Sequence, residues 1–301
     1  MKNSKRQFWG QYSGFSTKIK SFLERNLFKA AMWFIGRFVT AFLVEASQAR
    51  LLVPAYDMHV ARSLRLKGAY QDDELSQIFA LVVPDSVVVF IGAHIGALAI
   101  PTAREAGKVV VVEANPSTFA LLSTNIHLNS VSNIQAFNVA VGETNGFINF
   151  VMNTDNSGGS KREPKVKAKE YYYDNPETIT VPQTRLDDLL VDDVEIDLIV
   201  MDIEGSEFFA LLGMEKTLTR TKSLIVEFIP HHFSNVAGIS VKQFVELISR
   251  YFDYCYVPSK SRHLCKSEFY TFLDLMFLKN EEDPGLLFSK QPLDNHVGFK
   301  A

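Results

Sequence analysis

The chemistry-bearing residues that stand out in this 301-residue chain are acids that close apolar runs. Val109, Val110, Val111 and Val112 lead into Glu113; Leu198, Ile199, Val200 and Met201 lead into Asp202; Leu224, Ile225 and Val226 lead into Glu227. Uninterrupted apolar runs of this kind are buried parallel strands, and a carboxylate at the carboxyl end of such a strand faces the crevice where α/β sheets bind ligands. There an acid can take two hydrogen bonds from a ribose diol, the role that fits Glu113, or accept a proton from a reacting hydroxyl, the role that fits Asp202. The plain alternative for Asp202 is to cap the helix that follows. Glu204 and Glu207 come next and are candidates for holding an acceptor, against the alternative of a solvated first helical turn, where acids are favoured in any case. Glu227 would need a partner if buried, and it joins His231, whose imidazole titrates near neutral pH, as a further catalytic candidate.

A second feature is the turn Gly92-Ala93-His94-Ile95-Gly96, which ends the apolar run of Val87, Val88, Val89, Phe90 and Ile91. Glycine permits the tight strand-to-helix turn, and the helix over 97–106 aims its free N–H groups into it. Joined to Glu113, one helix and one strand later, this pattern points to an adenosine-containing cofactor. A nicotinamide dinucleotide is the rival, weakened by the missing third glycine of GxGxxG. Asp202, Glu204, Glu227, His231 and His232 show no recognised metal-ligand spacing, so no metal ligand is assigned and a divalent ion stays open.

These residues must be positioned by alternating elements. Helices are expected over 56–68, stopped by Gly68, and over 74–82; strands over 87–91, 109–112 and 134–141; and a helix opened by Asn115 as N-cap and Pro116 at N1. A short helix over 184–190, a strand over 196–201, a helix over 208–218, a strand over 223–232, a helix over 241–252 and β-like runs over 254–257 and 269–277 complete the reading. Strands separated by helices predict an α/β domain over residues 51–301, with a mostly parallel sheet and right-handed crossovers. The polar stretch 153–182 interrupts that rhythm and is expected as a flexible insertion facing the substrate.

Residues 1–50 read as a basic, aromatic-rich helical segment. Within it, 27–44 is too short to span a membrane, and Arg37 near its middle would cost about 2.5–3.5 kcal/mol on insertion. It is expected to pack on the main domain or a second subunit, with peripheral contact of 18–44 with an anionic membrane as the alternative. A net charge of −3 argues against a nucleic-acid partner, and 2 cysteines rule out a disulfide scaffold and point to a reducing, cytoplasmic setting.

The glycine turn, VVEANP at 111–116, NSGG at 156–159, TRLDDLL at 184–190, DIEGSE at 202–207 and LIVEFIP at 224–230 follow one another as they do in the FkbM family, and residues 56–230 resemble those S-adenosylmethionine-dependent methyltransferases. The resemblance implies a class I, Rossmann-like methyltransferase fold: a seven-stranded, mostly parallel sheet with an antiparallel last strand. It implies O-methylation of a hydroxyl on a sugar, glycan or related metabolite. It places Gly92, Ala93, His94 and Gly96 around the methionyl part of S-adenosylmethionine and Glu113 at its ribose. It places Asn138, Val139 and Ala140 near the adenine, and Ala114, Asn115 and Asp202 in the same cofactor site. Phe90 stands where the family usually has an acid and His94 where it usually has asparagine. That lost acid would help receive the methionyl ammonium, and it motivates a second reading, a binding or scaffold protein on the same fold.

Overall fold

A computed structural model describes residues 26–27, 30–31, 38–190 and 194–293. Its first complete unit is an antiparallel hairpin, β1 (Ala41–Ala46) and β2 (Ala49–Pro54), turned through Ser47 and Gln48 at φ 47° and 59°. Two successive left-handed residues make the turn whose twist matches the strands. The hairpin corrects the end of the helix expected over 27–44, since residues 41–44 lie in β1, and β2 alternates, with Leu51 and Val53 buried and Arg50 exposed. Most of the basic, aromatic stretch before it lies outside the described residues.

The chain continues through α1 (Val60–Lys67), α2 (Asp72–Leu81), β3 (Val87–Ile91), α3 (Ala99–Glu105), β4 (Lys108–Val112), α4 (Pro116–Leu128) and β5 (Ile134–Phe137). Next come β6 (Ala140–Val141), β7 (Gly146–Met152), β8 (Lys161–Arg162), β9 (Glu177–Thr184), α5 (Leu186–Leu189), β10 (Ile196–Met201), α6 (Glu207–Leu212), α7 (Glu215–Thr219) and β11 (Thr221–Phe228). Last are α8 (Val241–Ile248), β12 (Tyr254–Val257), β13 (Arg262–Cys265), α9 (Phe269–Leu278) and β14 (Asp283–Ser289). The main sheet runs β13-β12-β14-β11-β10-β3-β4-β5; β11, β10, β3, β4 and β5 are parallel, and β14 is antiparallel to both its neighbours. This is the expected mostly parallel sheet with an antiparallel last strand, extended at one edge by β13. Both faces are covered: Val89 and Ile91 of β3 pack into one core and Val88 and Phe90 into the other. Side chains alternate across a strand, so a strand buried on both faces reads as one apolar run.

Three further expectations are corrected. The strand over 134–141 divides at Asn138, and β6 joins a second sheet, β6-β9-β7-β8. The helix over 208–218 breaks at Gly213, where a Cβ would run into the carbonyl of Gly142. The run 269–277 is helical, with Phe269, Leu273 and Met276 buried at helical spacing, and the last strand is instead Asp283–Ser289, obscured in the sequence by Pro284 and Gly285. The polar stretch 153–182 contains β8, two 3₁₀ turns and most of β9. Asp174 ties its ends, accepting from the side chain of Asn153 at 2.7 Å and from the amides of Thr154 and Asp155 at 2.7 and 3.1 Å. No described helix is long and apolar enough to cross a membrane.

Candidate active site

The tips of β4, β3 and β10 close on one another around Gly92. Gly92 and Ala93 donate their amides to the carbonyl of Val112 at 2.9 and 3.1 Å, and Asp202 donates its own to Ile91 at 3.1 Å. Gly92 has φ 88°, and a Cβ there would collide with the Asp202 carbonyl, so only glycine lets the tips approach this far. Beside them opens a cleft of about 1190 Å³ including its mouth, and Gly92, Ala93, His94, Glu113, Ala114, Val139, Ala140, Asp202 and Glu204 line it.

Glu113 accepts from the amide of His94 through Oε2 at 2.9 Å and from that of Asn115 through Oε1 at 2.8 Å. Each oxygen keeps a lone pair for a diol. Burial raises its pKa to about 7 against the pull of those amides. His94, held at φ 50°, meets Ser157 Oγ through Nε2 at 2.8 Å, and that hydroxyl donates to Asp57 Oδ2 at 2.5 Å. Asp57 also accepts from the amides of His59, Ala61 and Ser157, so Ser157 spends its proton on Asp57 and takes the Nε2–H of His94. Burial lowers the His94 pKa to about 4, keeping the ring neutral with Nδ1 as an acceptor.

Asp202 makes no side-chain hydrogen bond among the described residues, and burial followed by Glu204, Glu74 and Glu207 pushes its pKa well up. The next helix has Ser206 at its N-cap with no side-chain cap bond, and Glu207 instead orders the turn before it, its Oε1 accepting from the amides of Ile203 and Gly205 at 3.1 and 3.2 Å. Glu207, expected to hold the acceptor, does not line the cleft. Other expected residues also serve the frame. Asn115 caps α4, Asn138 donates to the carbonyls of Glu113 and Ala114, and a Cβ at Gly96 would press within 2.9 Å of Ile100 and Leu122. Glu227 and His231 also lie off the cleft lining. His231 Nδ1 is 2.8 Å from the Tyr171 hydroxyl, while Glu227 faces His232, which in turn faces Glu204.

Sequence reasoning passed over several residues here. Glu74 of α2 lines the cleft with Tyr70 and Gln71; it is buried, its Oε2 has no hydrogen-bond partner among the described residues, and burial lifts its pKa to about 8. Lys161, almost fully buried, reaches Glu204 at 3.3 Å. Asn156, Ser157, Gly158 and Ser160 bring the NSGG segment to the rim, and here the motif itself was the signal.

Residues 91–257 match the family model described as the Methyltransferase FkbM domain. The 2-O-methyltransferase NoeI of Sinorhizobium fredii (strain NBRC 101917 / NGR234) is 28% identical over 208 residues, covering 64% of this chain and 82% of that relative. Among solved structures, the M. jannaschii tRNA m1G37 methyltransferase is 14% identical with a TM-score of 0.43, covering 85% of this chain and 58% of its own. The methyltransferase FkbM of Methylobacillus flagellatus KT is 17% identical with a TM-score of 0.35, covering 68% of this chain and 43% of its own. The chain thus spans about half the length of these solved chains. By the match over more than half its length, the chain belongs to the FkbM family of S-adenosylmethionine-dependent methyltransferases.

Proposed function

We propose that the cleft transfers a methyl group from S-adenosylmethionine to a hydroxyl of a sugar, glycan or related metabolite. One observation carries this reading: Glu113, whose two oxygens accept one amide each and keep a lone pair free, lines the same cleft as the acids Glu74 and Asp202. An adenosyl group joined to a sulfonium and an ammonium matches both ends. A dinucleotide would bring its diphosphate towards buried carboxylates, which disfavours the nicotinamide reading. The name of the Sinorhizobium relative, a 2-O-methyltransferase, supports oxygen as the methylated atom.

Glu113 would hold the ribose hydroxyls, Val139 and Ala140 would flank the adenine, and Gly92, Ala93 and His94 would surround the methionyl part. Glu74 supplies a carboxylate on the cleft that Phe90 does not, and is our candidate for receiving the ammonium. When bound, the cofactor supplies a methyl group whose carbon–sulfur bond breaks as the carbon–oxygen bond forms, leaving a thioether. Positioning supplies much of the acceleration in such a displacement. Asp202, ionised once positive charge enters the cleft, accepts the proton of the acceptor hydroxyl. Glu204, at the cleft edge, holds the acceptor.

Calorimetry with S-adenosylmethionine and with NAD⁺ tests the reading, followed by transfer of a labelled methyl group to a panel of oligosaccharides. Saturable binding of S-adenosylmethionine alone and label on a hydroxyl are expected. Absence of cofactor binding at millimolar concentration would overturn it.

A further inference from the structure

We propose that Glu204, Glu227 and His232 form a binding site for a divalent metal ion of the Mn²⁺ or Zn²⁺ class, set against the methyl-transfer cleft. One donor atom from each of the three lies within 4.8 Å of the others. His232 Nδ1 is 3.6 Å from Glu227 Oε2, and neither atom has a hydrogen-bond partner among the described residues. The His232 side chain is only 5% exposed, so water does not readily serve it. A gap of 3.6 Å is too long for a hydrogen bond, which ends near ~3.2 Å. It is the separation of two ligands on one ion: with metal–ligand bonds of about 2.1 Å, donors at the tetrahedral angle stand about 3.4 Å apart.

The charge balance points the same way. Asp202, Glu204, Glu207 and Glu74 all act on Glu227, whereas Lys161 sets one ammonium against them, on Glu204. Clustered, largely buried carboxylates must be neutralised either by protons or by a cation, and an ion here would take the place of the protons. Carboxylate with imidazole is a mixed hard and borderline donor set, which suits Mn²⁺ and Zn²⁺ better than Mg²⁺ or Ca²⁺. Each ligand also sits on irregular backbone: Glu204 at φ 55°, Glu227 at a bulge between Val226 and Phe228, and His232 at the start of a π-helical turn ending at Ala237. Separate irregularities explain why spacing along the chain did not reveal the set.

Glu204 belongs to this cluster and to the cleft lining. An ion here would bind the acceptor hydroxyl and lower its pKa, so that Asp202 takes its proton more readily. That role, unlike the binding itself, rests on the methyltransferase reading.

The test is titration of the chelator-treated full chain with Mn²⁺, following free ion by electron paramagnetic resonance. One ion per chain is expected, with affinity roughly tenfold or more weaker in His232→Gln and in Glu227→Gln. Mn²⁺ should also raise the melting temperature of the parent and leave that of His232→Gln unmoved, which separates a lost ligand from a lost fold. No stoichiometric binding in the parent, or parent-like binding in both variants, overturns the site. S-adenosylmethionine is titrated into the same samples without metal. A parent that binds Mn²⁺ but not the cofactor would sink the methyltransferase reading and leave the metal site standing; the reverse would sink only the metal site.

Discussion

Glu113 and Glu74 line one cleft, and the proposed function assigns them to different parts of one ligand. Removing the Glu113 carboxylate forfeits hydrogen bonds to a diol, and Glu113→Ala should weaken S-adenosylmethionine binding more than tenfold by calorimetry without unfolding the chain. Unchanged affinity would refute the ribose role. Glu74→Gln keeps the shape of the side chain and deletes its charge, which should cost roughly ten- to a hundredfold in affinity, as for a hydrogen bond to a charged group worth about 1.5–3 kcal/mol. Asp202→Asn should lower turnover far more than affinity, and equal turnover would remove it as the base. Glu113 and Asp202 were legible because each closes an apolar run, and a run that stops at an acid marks the end of a buried strand. Glu74, Asp57 and Lys161 carry no such mark. They reach the site from α2, from the turn before α1 and from β8, and only the closed fold brings them there.

At the scale of elements, the parallel strands and their order of appearance could be read because burial on both faces writes itself as a continuous apolar run. The hairpin of β1 and β2, the helix α9 and the strand β14 could not. Alternation and helical spacing both dissolve in short aromatic stretches, and Pro284 with Gly285 hides a strand whose burial is set by β11 and β12 on either side. The glycines separate backbone need from packing need. Gly68 and Gly92 both hold left-handed φ, but a Cβ at Gly68 meets nothing, whereas one at Gly92 strikes the Asp202 carbonyl. Gly68→Ala should therefore cost only the left-handed penalty of about 1–2 kcal/mol. Gly92→Ala should cost several times the loss at Gly68 and abolish cofactor binding, since β3 and β10 can no longer meet. Denaturant melts of the two variants check this, and similar losses would show that the tips are not closed around Gly92.

For the molecule as a whole, the buried acids make stability depend on pH in a direction opposite to that of most proteins. Glu74, at about 8, and Glu113 and Glu207, at about 7, hold protons in the folded chain that the unfolded chain releases above roughly pH 4.5. Where the folded state binds more protons, stability falls as pH rises, by about 1.4 kcal/mol per pH unit for each proton of difference. His94 and His232, lowered to about 4 and about 2, act the other way, because the unfolded chain takes up their protons; that contribution ends near pH 6.5. Between about pH 6.5 and 8 only the acids remain, so the melting temperature of the unliganded chain should drop across that window, and less in Glu74→Gln than in the parent. The same protons link stability to the ligand. Positive charge entering the cleft favours the ionised carboxylates, so binding S-adenosylmethionine should release protons near pH 7, measured as an enthalpy that varies with the ionisation heat of the buffer. The number released should fall in Glu74→Gln; a binding enthalpy independent of buffer would mean that the acidic end of the cleft does not meet the cationic end of the cofactor.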